Sequence, residues 1–317
     1  MSVSQLHTSM GRVQLSNPLV LASGVQGASL SRVLEALELG AGAAVTKSIG
    51  PTRREGYPEP TLIQADAGLL NAVGLPNPGA GDFANELSPL TGKALPVFVS
   101  VYGGSAEEFG MVIDRLDAND FVGYELNLSC PHVAGVGAEV GHDPEEVGRV
   151  VETAKSRSSK PVFVKLSPNT EKLVEVGKAA VKAGADGLTA INTLKGMSID
   201  VDAGRPALSN RFGGLSGNAI RPVALRCVYE LREKLDVPIM GCGGVSTWEH
   251  AVQFILAGAN AVQIGTSTMG RLAMFNDVNL GVLSYLERKG VDSLEDLVGA
   301  AHRGGLKELL RQGAVGP

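Results

Sequence analysis

The chain has 317 residues, of which 44% are hydrophobic and 19% are charged. This composition can build a large core and excludes a fibrous or disordered protein, and the length suits one large barrel-type domain. The formal net charge of -5 argues against nucleic acid as the partner, and the N-terminal residues show neither a signal peptide nor an apolar run that could cross a membrane, so we expect no membrane anchor.

Short runs rich in β-branched residues alternate with amphipathic helical patterns along the chain. This alternation is typical of parallel strand–helix–strand units. Eight strands are predicted, at 19–25, 43–49, 96–102, 122–128, 161–166, 187–192, 238–242 and 261–265. The predicted helices include 105–116, 144–157, 172–183, 222–235 and 248–256, and several of them end at an Ala-Gly stop. Eight such units predict an α/β fold, a single (β/α)8 TIM barrel over residues 1–317.

Three segments interrupt this rhythm, at 50–77, 131–143 and 195–218. Each is long, rich in glycine or proline, and follows a predicted strand. We therefore expect three long loops on the C-terminal face of the barrel, where loops carry function and can act as lids.

Residues 127–132 read Asn-Leu-Ser-Cys-Pro-His and place Cys130 just beyond the fourth predicted strand. A thiol inside a strand would merely pack, whereas a thiol at the mouth of a barrel strand can serve as nucleophile, base or redox group. The residues alone leave these three roles open.

The other cysteines, Cys227 and Cys242, form no CxxC pair with Cys130, and the odd count favours a reducing compartment. We expect a cytoplasmic protein in which Cys227 belongs to the core and Cys242 is a small spacer in a glycine turn. Neither the cysteines nor the five histidines show metal-ligand or iron–sulfur spacing, so no metal site is predicted.

Two lysines, Lys47 and Lys165, end predicted strands. Lysine is ordinarily a solvated surface residue, but both of these follow apolar strand residues and are expected at the barrel mouth. A cation in that position would pair with a ligand carboxylate or stabilise an anion that develops on a cofactor.

The turn after the seventh strand reads Gly-Cys-Gly-Gly-Val-Ser from Gly241 to Ser246, and the eighth strand ends at Gly265 and Thr266. Such glycines could serve only as tight turns. Barrels, however, often bind phosphate with backbone N–H groups in these two loops. The pattern therefore predicts a phosphorylated ligand such as a nucleotide or a flavin.

Six motifs follow one another in order along the chain. They are Thr46-Lys47-Ser48, Leu70-Asn71-Ala72-Val73-Gly74-Leu75-Pro76-Asn77-Pro78-Gly79, Asn127-Leu128-Ser129-Cys130-Pro131, Val164-Lys165-Leu166-Ser167-Pro168-Asn169, Ile191-Asn192-Thr193 and Gly213-Gly214-Leu215-Ser216-Gly217. Together they closely resemble the catalytic chain of the class 1 dihydroorotate dehydrogenases, from Leu19 to about Arg271. The resemblance implies an FMN-dependent barrel that oxidises (S)-dihydroorotate to orotate in de novo pyrimidine (UMP) biosynthesis.

The same resemblance implies roles for individual residues. Cys130 would remove the C5 proton of dihydroorotate while the C6 hydride passes to N5 of FMN, and Lys165 would favour the anionic reduced flavin. The implied substrate-binding residues are Lys47, Asn71, Ala72, Val73, Gly74, Leu75, Asn127, Asn192 and Thr193. The implied FMN-binding residues are Ser23, Lys47, Ser48, Ser100, Asn127, Lys165, Ile191, Gly217, Gly243, Gly244, Gly265 and Thr266.

Two residues depart from the family pattern. His132 stands where an asparagine commonly follows Cys-Pro, and Ser100 stands where an asparagine usually follows the third strand. The first departure puts one substrate or lid contact in doubt, and the second one flavin contact. A cationic His132 would favour the thiolate of Cys130, although a loop histidine without a role is the simpler interpretation.

Residues 141–144 and 164–169 look more like the class 1B type, whose catalytic chain works with a second subunit that carries FAD and a 2Fe–2S cluster and reduces NAD+. This implies a heterotetramer around a homodimer core, which helices expected after Met269 would help to form. A fumarate-using class 1A homodimer is the alternative. Two further alternatives are disfavoured. A tRNA dihydrouridine synthase would need a basic surface and a C-terminal helical domain. A non-catalytic flavin-binding scaffold would not be expected to retain Lys47, Asn71, Cys130 and Lys165 together.

Overall fold

The computed structural model describes residues 3–24, 26–128, 140–306 and 308, and all structural statements below concern this part of the chain. No helix within it is both long enough and apolar enough to cross a membrane. Its strands, numbered in chain order, are β1 Thr8–Met10, β2 Val13–Leu15, β3 Leu19–Leu21, β4 Ala43–Val45, β5 Leu62–Ala65, β6 Gly68–Asn71, β7 Val97–Val101, β8 Gly123–Asn127, β9 Val162–Leu166, β10 Gly187–Ala190, β11 Leu194–Met197, β12 Ile199–Asp200, β13 Arg205–Pro206, β14 Phe212–Ser216, β15 Ile239–Cys242 and β16 Ala261–Ile264.

Eight of these strands form a closed barrel in the spatial order β10-β15-β16-β3-β4-β7-β8-β9. Every pair in it is parallel; for example, Asn127 of β8 lies opposite Lys165 of β9. Each of the eight predicted runs contains one barrel strand, so the prediction of a TIM barrel is confirmed.

Helices cover the outside of the barrel. They are α1 Leu30–Glu38, α2 Ala80–Glu86, α3 Ala106–Leu116, α4 Pro144–Arg157, α5 Leu173–Lys182, α6 Arg221–Lys234, α7 Trp248–Leu256, α8 Met274–Lys289 and α9 Leu294–Leu297. The five predicted helices agree with α3 to α7 within one residue at each end. Local signals explain this: the Ser105 hydroxyl accepts a hydrogen bond from the Glu108 N–H at the start of α3, and Asp143 caps α4 with Pro144 at its first position.

The N-terminal end of the barrel is closed by the β1–β2 hairpin. Its residues Met10, Val13 and Leu15 pack with inward-facing barrel side chains, including Phe98 and Phe163, whose rings meet edge to face at 5.4 Å. Side chains in a strand alternate between faces, so Phe163 and Lys165, two positions apart on β9, both point into the barrel. Lys165 lies closer to the C-terminal end of the strand. The interior is therefore apolar at one end and polar at the other.

Two of the three predicted loops are more regular than expected. Segments 50–77 and 195–218 supply the four strands of a second sheet, in the order β11-β14-β6-β5, except that β11 begins one residue earlier, at Leu194; segment 195–218 also contains the whole of the small β12–β13 ribbon. All pairs in this sheet are antiparallel, and Asn71 of β6 lies opposite Gly214 of β14. The sequence concealed it because the β6–β14 pair joins distant segments and because β14 contains the weak strand formers Gly213 and Gly214. Of the third segment, 131–143, the structure describes only 140–143.

Candidate active site

A deep cavity opens at the C-terminal ends of the barrel strands, partly walled by the second sheet. It contains most of the residues predicted from the sequence. Those that line it are Ser23, Lys47, Ser48, Asn71, Val73, Gly74, Leu75, Asn127, Lys165, Ile191, Asn192, Thr193, Gly217, Gly243, Gly244, Gly265 and Thr266. The barrel thus brings together two lysines, three asparagine amides and a run of glycines from segments that lie far apart in the chain.

Lys47 follows β4 and is half-buried at the cavity wall. Its backbone N–H donates to the carbonyl of Gly27 at 2.7 Å, which fixes where its side chain leaves the main chain. A Cβ on Gly27 would lie 2.9 Å from the Lys47 nitrogen, so the close approach requires glycine. The lysine provides a cation beside the amides.

The asparagine amides are held by hydrogen bonds between neighbouring strand ends. The Asn192 amide donates to the Asn127 amide oxygen at 3.2 Å, and the Asn127 amide donates to the Ser48 hydroxyl at 2.9 Å. Asn71 reaches the cavity from the second sheet, and its amide donates to the Gly214 carbonyl at 3.0 Å. Their fixed donors and acceptors suit a planar ligand that carries amide and imide groups.

Two predicted contacts are not direct in this structure. Ser100 is fully buried and does not line the cavity, because its hydroxyl lies behind that of Ser48 at 2.9 Å. Ala72 is also fully buried and packs with Leu70 and Leu208, since it points to the opposite face of β6 from Asn71. Both residues support neighbours that do reach the cavity.

At the inner end of the cavity, Lys165 belongs to a buried polar network. Its ammonium group lies 3.3 Å from Glu125 Oε1 and 3.2 Å from Gln263 Oε1. Glu125 Oε2 accepts hydrogen bonds from Gln263 Nε2 at 2.6 Å and from the Thr189 hydroxyl at 3.0 Å. Burial by itself would lower the pKa of Lys165, but attraction by Glu125, with a contribution from Cys242, leaves that pKa raised. Lys165 is therefore a cation in the cavity wall.

Another part of the cavity wall is a cradle of glycine backbone. Gly217, Gly243 and Gly244 have φ values of +91°, +137° and +74°. A Cβ on Gly243 would come within 2.7 Å of the Ala224 side chain, and one on Gly244 within 2.7 Å of the Gly217 carbonyl. Among the described residues, the N–H groups of Gly243 and Gly244 meet no hydrogen-bond acceptor. Turns with exposed N–H groups of this kind bind anions such as phosphate.

A side-chain cluster holds this turn from behind. His250 Nδ1 accepts a hydrogen bond from the Ser246 backbone N–H at 3.3 Å and contacts Arg221 Nη1 at the same distance. Arg221 Nη1 also donates to the Gly244 carbonyl at 3.2 Å. Burial, and then the charge of Arg221, lower the pKa of His250, with Glu249 opposing them. His250 therefore acts as a neutral acceptor.

Cys130 and His132 lie outside the described residues, so their predicted roles stay predictions. Of the other two cysteines, Cys227 is buried in α6 as expected, whereas Cys242 lines the cavity, where burial raises its pKa despite the nearby Lys165. Within the described ranges, no three His, Cys, Asp or Glu side chains are grouped to hold a metal ion.

Sequence reasoning missed several cavity residues. Gln263 could have been suspected, because a polar side chain inside the apolar run 261–265 is unusual in a buried strand. No local signal distinguished the remaining ones, which are Ala22, Gly24, Gln26, Leu62, Leu69, Ser216, Ile220, Val245, Ser267, Thr268 and Met269.

Comparison with known proteins adds independent information. The family model described as dihydroorotate dehydrogenase matches residues 5–286. A protein of Pyrococcus furiosus named dihydroorotate dehydrogenase B (NAD(+)), catalytic subunit, is 48% identical over 294 residues, which cover 92% of this chain and 97% of that protein. Proteins with the same name from Methanocella arvoryzae and Thermococcus kodakarensis are each 45% identical, over 92% and 95% of this chain and 96% and 99% of their own lengths.

Proposed function

Because the chain belongs to the dihydroorotate dehydrogenase family, we propose that it is a class 1B catalytic subunit that oxidises (S)-dihydroorotate to orotate in pyrimidine biosynthesis. The observation that carries this proposal is the meeting of Lys47, the Asn71, Asn127 and Asn192 amides and a glycine cradle in one cavity. We further propose that residues 1–317 form one FMN-binding domain.

The cavity has the features that FMN requires. The cradle of Gly217, Gly243 and Gly244 suits a phosphate that accepts hydrogen bonds from backbone N–H groups. Gly265 and Thr266 lie beside it, and the Thr266 hydroxyl donates to that of Ser216 at 2.8 Å. FMN, when bound, supplies the two-electron acceptor for the hydride that leaves C6 of dihydroorotate.

Lys47 and the amides would bind the substrate. The Lys47 ammonium group would pair with the carboxylate of dihydroorotate, and Asn71, Asn127 and Asn192 would exchange hydrogen bonds with its ring amide groups. The described part of the cavity wall holds both a cation and amides, so an ion pair and hydrogen bonds together would orient the ring.

We assign removal of the C5 proton to Cys130, which follows Asn127 by three positions. A free thiol titrates near pH ~8.5, so a surrounding that stabilises the thiolate or a loop that excludes water would make it an effective base near neutrality. Loss of the C5 proton to the thiolate and of the C6 hydride to the flavin leaves the C5–C6 double bond of orotate, which balances the reaction.

The names of these relatives support the choice of electron acceptor. Those proteins are called catalytic subunits of an NAD(+)-linked enzyme. By analogy, electrons would pass from FMN through a partner subunit with FAD and a 2Fe–2S cluster to NAD+, in a cytoplasmic heterotetramer built on a homodimer of this chain. These names favour NAD+ over fumarate.

Spectroscopy of the purified chain tests the activity. The protein should be yellow with FMN, and dihydroorotate should bleach its flavin band without oxygen. Flavin-loaded protein that stays oxidised would refute the dehydrogenase assignment. NAD+ reduction that appears only after an iron–sulfur flavoprotein is added would identify the class 1B type, whereas fumarate turnover by the isolated chain would identify the homodimeric type.

A further inference from the structure

We propose that Glu125 is a positioning residue that keeps Lys165 permanently charged and directed at the flavin, so that Lys165 exchanges no proton when the flavin is reduced. This inference rests on the proposed function. It concerns a residue that contributes nothing to the cavity surface and acts only through its neighbour.

The Glu125 carboxylate is fixed in the barrel interior by its hydrogen bonds. Glu125 is 1% exposed, and both of its carboxylate oxygens are occupied, one by Lys165 and the other by Gln263 and Thr189. Gln263 in turn accepts a hydrogen bond from Lys165 at 3.2 Å and so completes a closed ring of three side chains. A carboxylate bound in this way has one rotamer, and it holds the ammonium group in one place.

The network formed by Glu125, Lys165 and Gln263 lies inside the barrel. Glu125, Lys165 and Gln263 come from β8, β9 and β16, and β9 and β16 are separated by β10 and β15 in the closed barrel. The Lys165 side chain therefore reaches across the interior to meet Gln263. Below this ring lies the apolar layer of Phe98 and Phe163, so the lysine has no route to solvent on that side.

Glu125 also supplies the negative charge that Lys165 needs in the barrel interior. The titratable groups that act on Lys165 are Glu125 and Cys242, while the facing side chains Thr189 and Gln263 are neutral. Cys242 attracts Lys165 only as a thiolate, and burial raises the pKa of Cys242, so near neutral pH it is an uncharged thiol that adds no such attraction. Glu125 is thus the anion that offsets the desolvation of a buried ammonium group. Without it, burial would favour neutral lysine.

The consequence is a defined proton count. With Lys165 always charged, formation of the anionic reduced flavin takes two electrons and one proton, which goes to the flavin. If Lys165 is neutral beside the oxidised flavin, the new negative charge draws a proton onto it, so reduction takes up one more proton. The pH dependence of the flavin midpoint potential reports this difference directly.

The test uses FMN-loaded full-length protein and the variant Glu125→Gln, which keeps shape and hydrogen-bonding capacity but removes the charge. The two-electron midpoint potential is measured against pH from about 7 to about 9, below the ordinary titration range of lysine near ~10.4. We expect the slope in Glu125→Gln to be about twice the parental slope, because one extra proton accompanies each electron pair. An unchanged slope would show that Lys165 stays charged without Glu125 and would overturn the inference.

Two further variants locate the proton. In Glu125→Gln/Lys165→Met the slope should return to the parental value, and a slope that stays steep would assign the proton elsewhere and overturn the inference. Thr189→Val removes a hydrogen bond to Glu125 but no charge, and should keep the parental slope; a doubled slope there would mean that packing, not charge, governs Lys165. The potential can be set with dithionite, so a parent that binds FMN but is not reduced by dihydroorotate refutes the proposed function alone, whereas a parent that binds no FMN refutes both.

Discussion

The hydroxyl of Ser48 lies 2.9 Å from the hydroxyl of Ser100, and only Ser48 lines the cavity. The pair begins a series of side-chain hydrogen bonds that continues through Asn127 to Asn192. The backbone of Ser100 is also held in place, because its N–H donates to the Thr46 hydroxyl at 3.2 Å. The serine that departs from the family pattern is therefore built into the wall behind the cavity.

Ser100→Ala should weaken FMN binding modestly. The variant loses one buried hydrogen bond, which is worth about 1 kcal/mol and corresponds to roughly a five-fold rise in the FMN dissociation constant. Ser48→Ala should weaken it more, since it also releases Asn127. Quenching of FMN fluorescence on binding measures both constants, and an equal or larger loss in Ser100→Ala would contradict an indirect role.

Lys47→Met should weaken orotate binding. A hydrogen bond to a charged group contributes about 1.5–3 kcal/mol, so the orotate dissociation constant should rise roughly 10- to 100-fold. Lys195→Met is the matched control, because Lys195 is exposed and does not line the cavity. Titration followed by the flavin spectrum gives the affinities. Equal effects of the two substitutions would mean that general charge, not a contact at Lys47, governs binding.

Cys130→Ala should slow flavin reduction by dihydroorotate by about 10²- to 10⁴-fold, the range expected when a general base is lost. FMN content and orotate affinity should change little. Anaerobic stopped-flow absorbance measures the rate. Cys227→Ala is the control, since this cysteine is buried in α6 away from the cavity, and its reduction rate should equal that of the parent. A parental rate in Cys130→Ala would rule out Cys130 as the base.

The stability of the glycine turn at Gly243 and Gly244 should depend on pH through His250. Its folded pKa is lowered, so His250 is neutral in both states well above pH ~6.5 and contributes no pH dependence there. As the pH falls below that value, the unfolded chain binds the proton first, and stability declines until the folded pKa is passed. Protonation would also break the Ser246 N–H bond to Nδ1, so FMN should be released more readily in acid.

His250→Gln provides the comparison, because its side-chain oxygen can still accept a hydrogen bond but does not titrate. Melting temperature and FMN release, recorded from about pH 7.5 to about pH 5, should decline less steeply in His250→Gln than in the parent. Identical curves for the two proteins would place the acid sensitivity at other groups.

Two glycines in helices should respond oppositely to alanine. Gly148 of α4 has open space where a Cβ would go, so Gly148→Ala should stabilise the protein by about 0.5–1 kcal/mol. At Gly281 of α8 a Cβ would lie 2.2 Å from Trp248 Cγ of α7, so Gly281→Ala should destabilise it through overpacking, typically by about 1–3 kcal/mol. Denaturant unfolding measures both, and a stabilised Gly281→Ala would contradict the close packing of α7 on α8.

The sequence predicted the barrel because its signals are local: each strand run and its following helix repeat one pattern, and helix starts such as Ser105 carry their own caps. The cavity residues at strand ends followed from the same rhythm together with the family motifs. What could not be predicted depends on contacts between distant segments. Strand register and barrel closure decide whether Ser100 or Ser48 faces the cavity and whether Glu125 reaches Lys165. The residues next to them in the sequence carry no signal of either.

The pairing of β6 with β14 has a consequence for how such barrels can be altered. Asn71 is presented to the cavity from β6, which pairs with β14 and places Asn71 opposite Gly214, so the segments after β4 and β10 work as one interlocked unit. Replacing either segment alone with that of a relative would change one side of the β6–β14 pair and displace the Asn71 amide, which lines the cavity. Insertions, deletions and grafts in this wall should therefore succeed only as paired exchanges, and an attempt to reshape the cavity must treat the two segments as a single part.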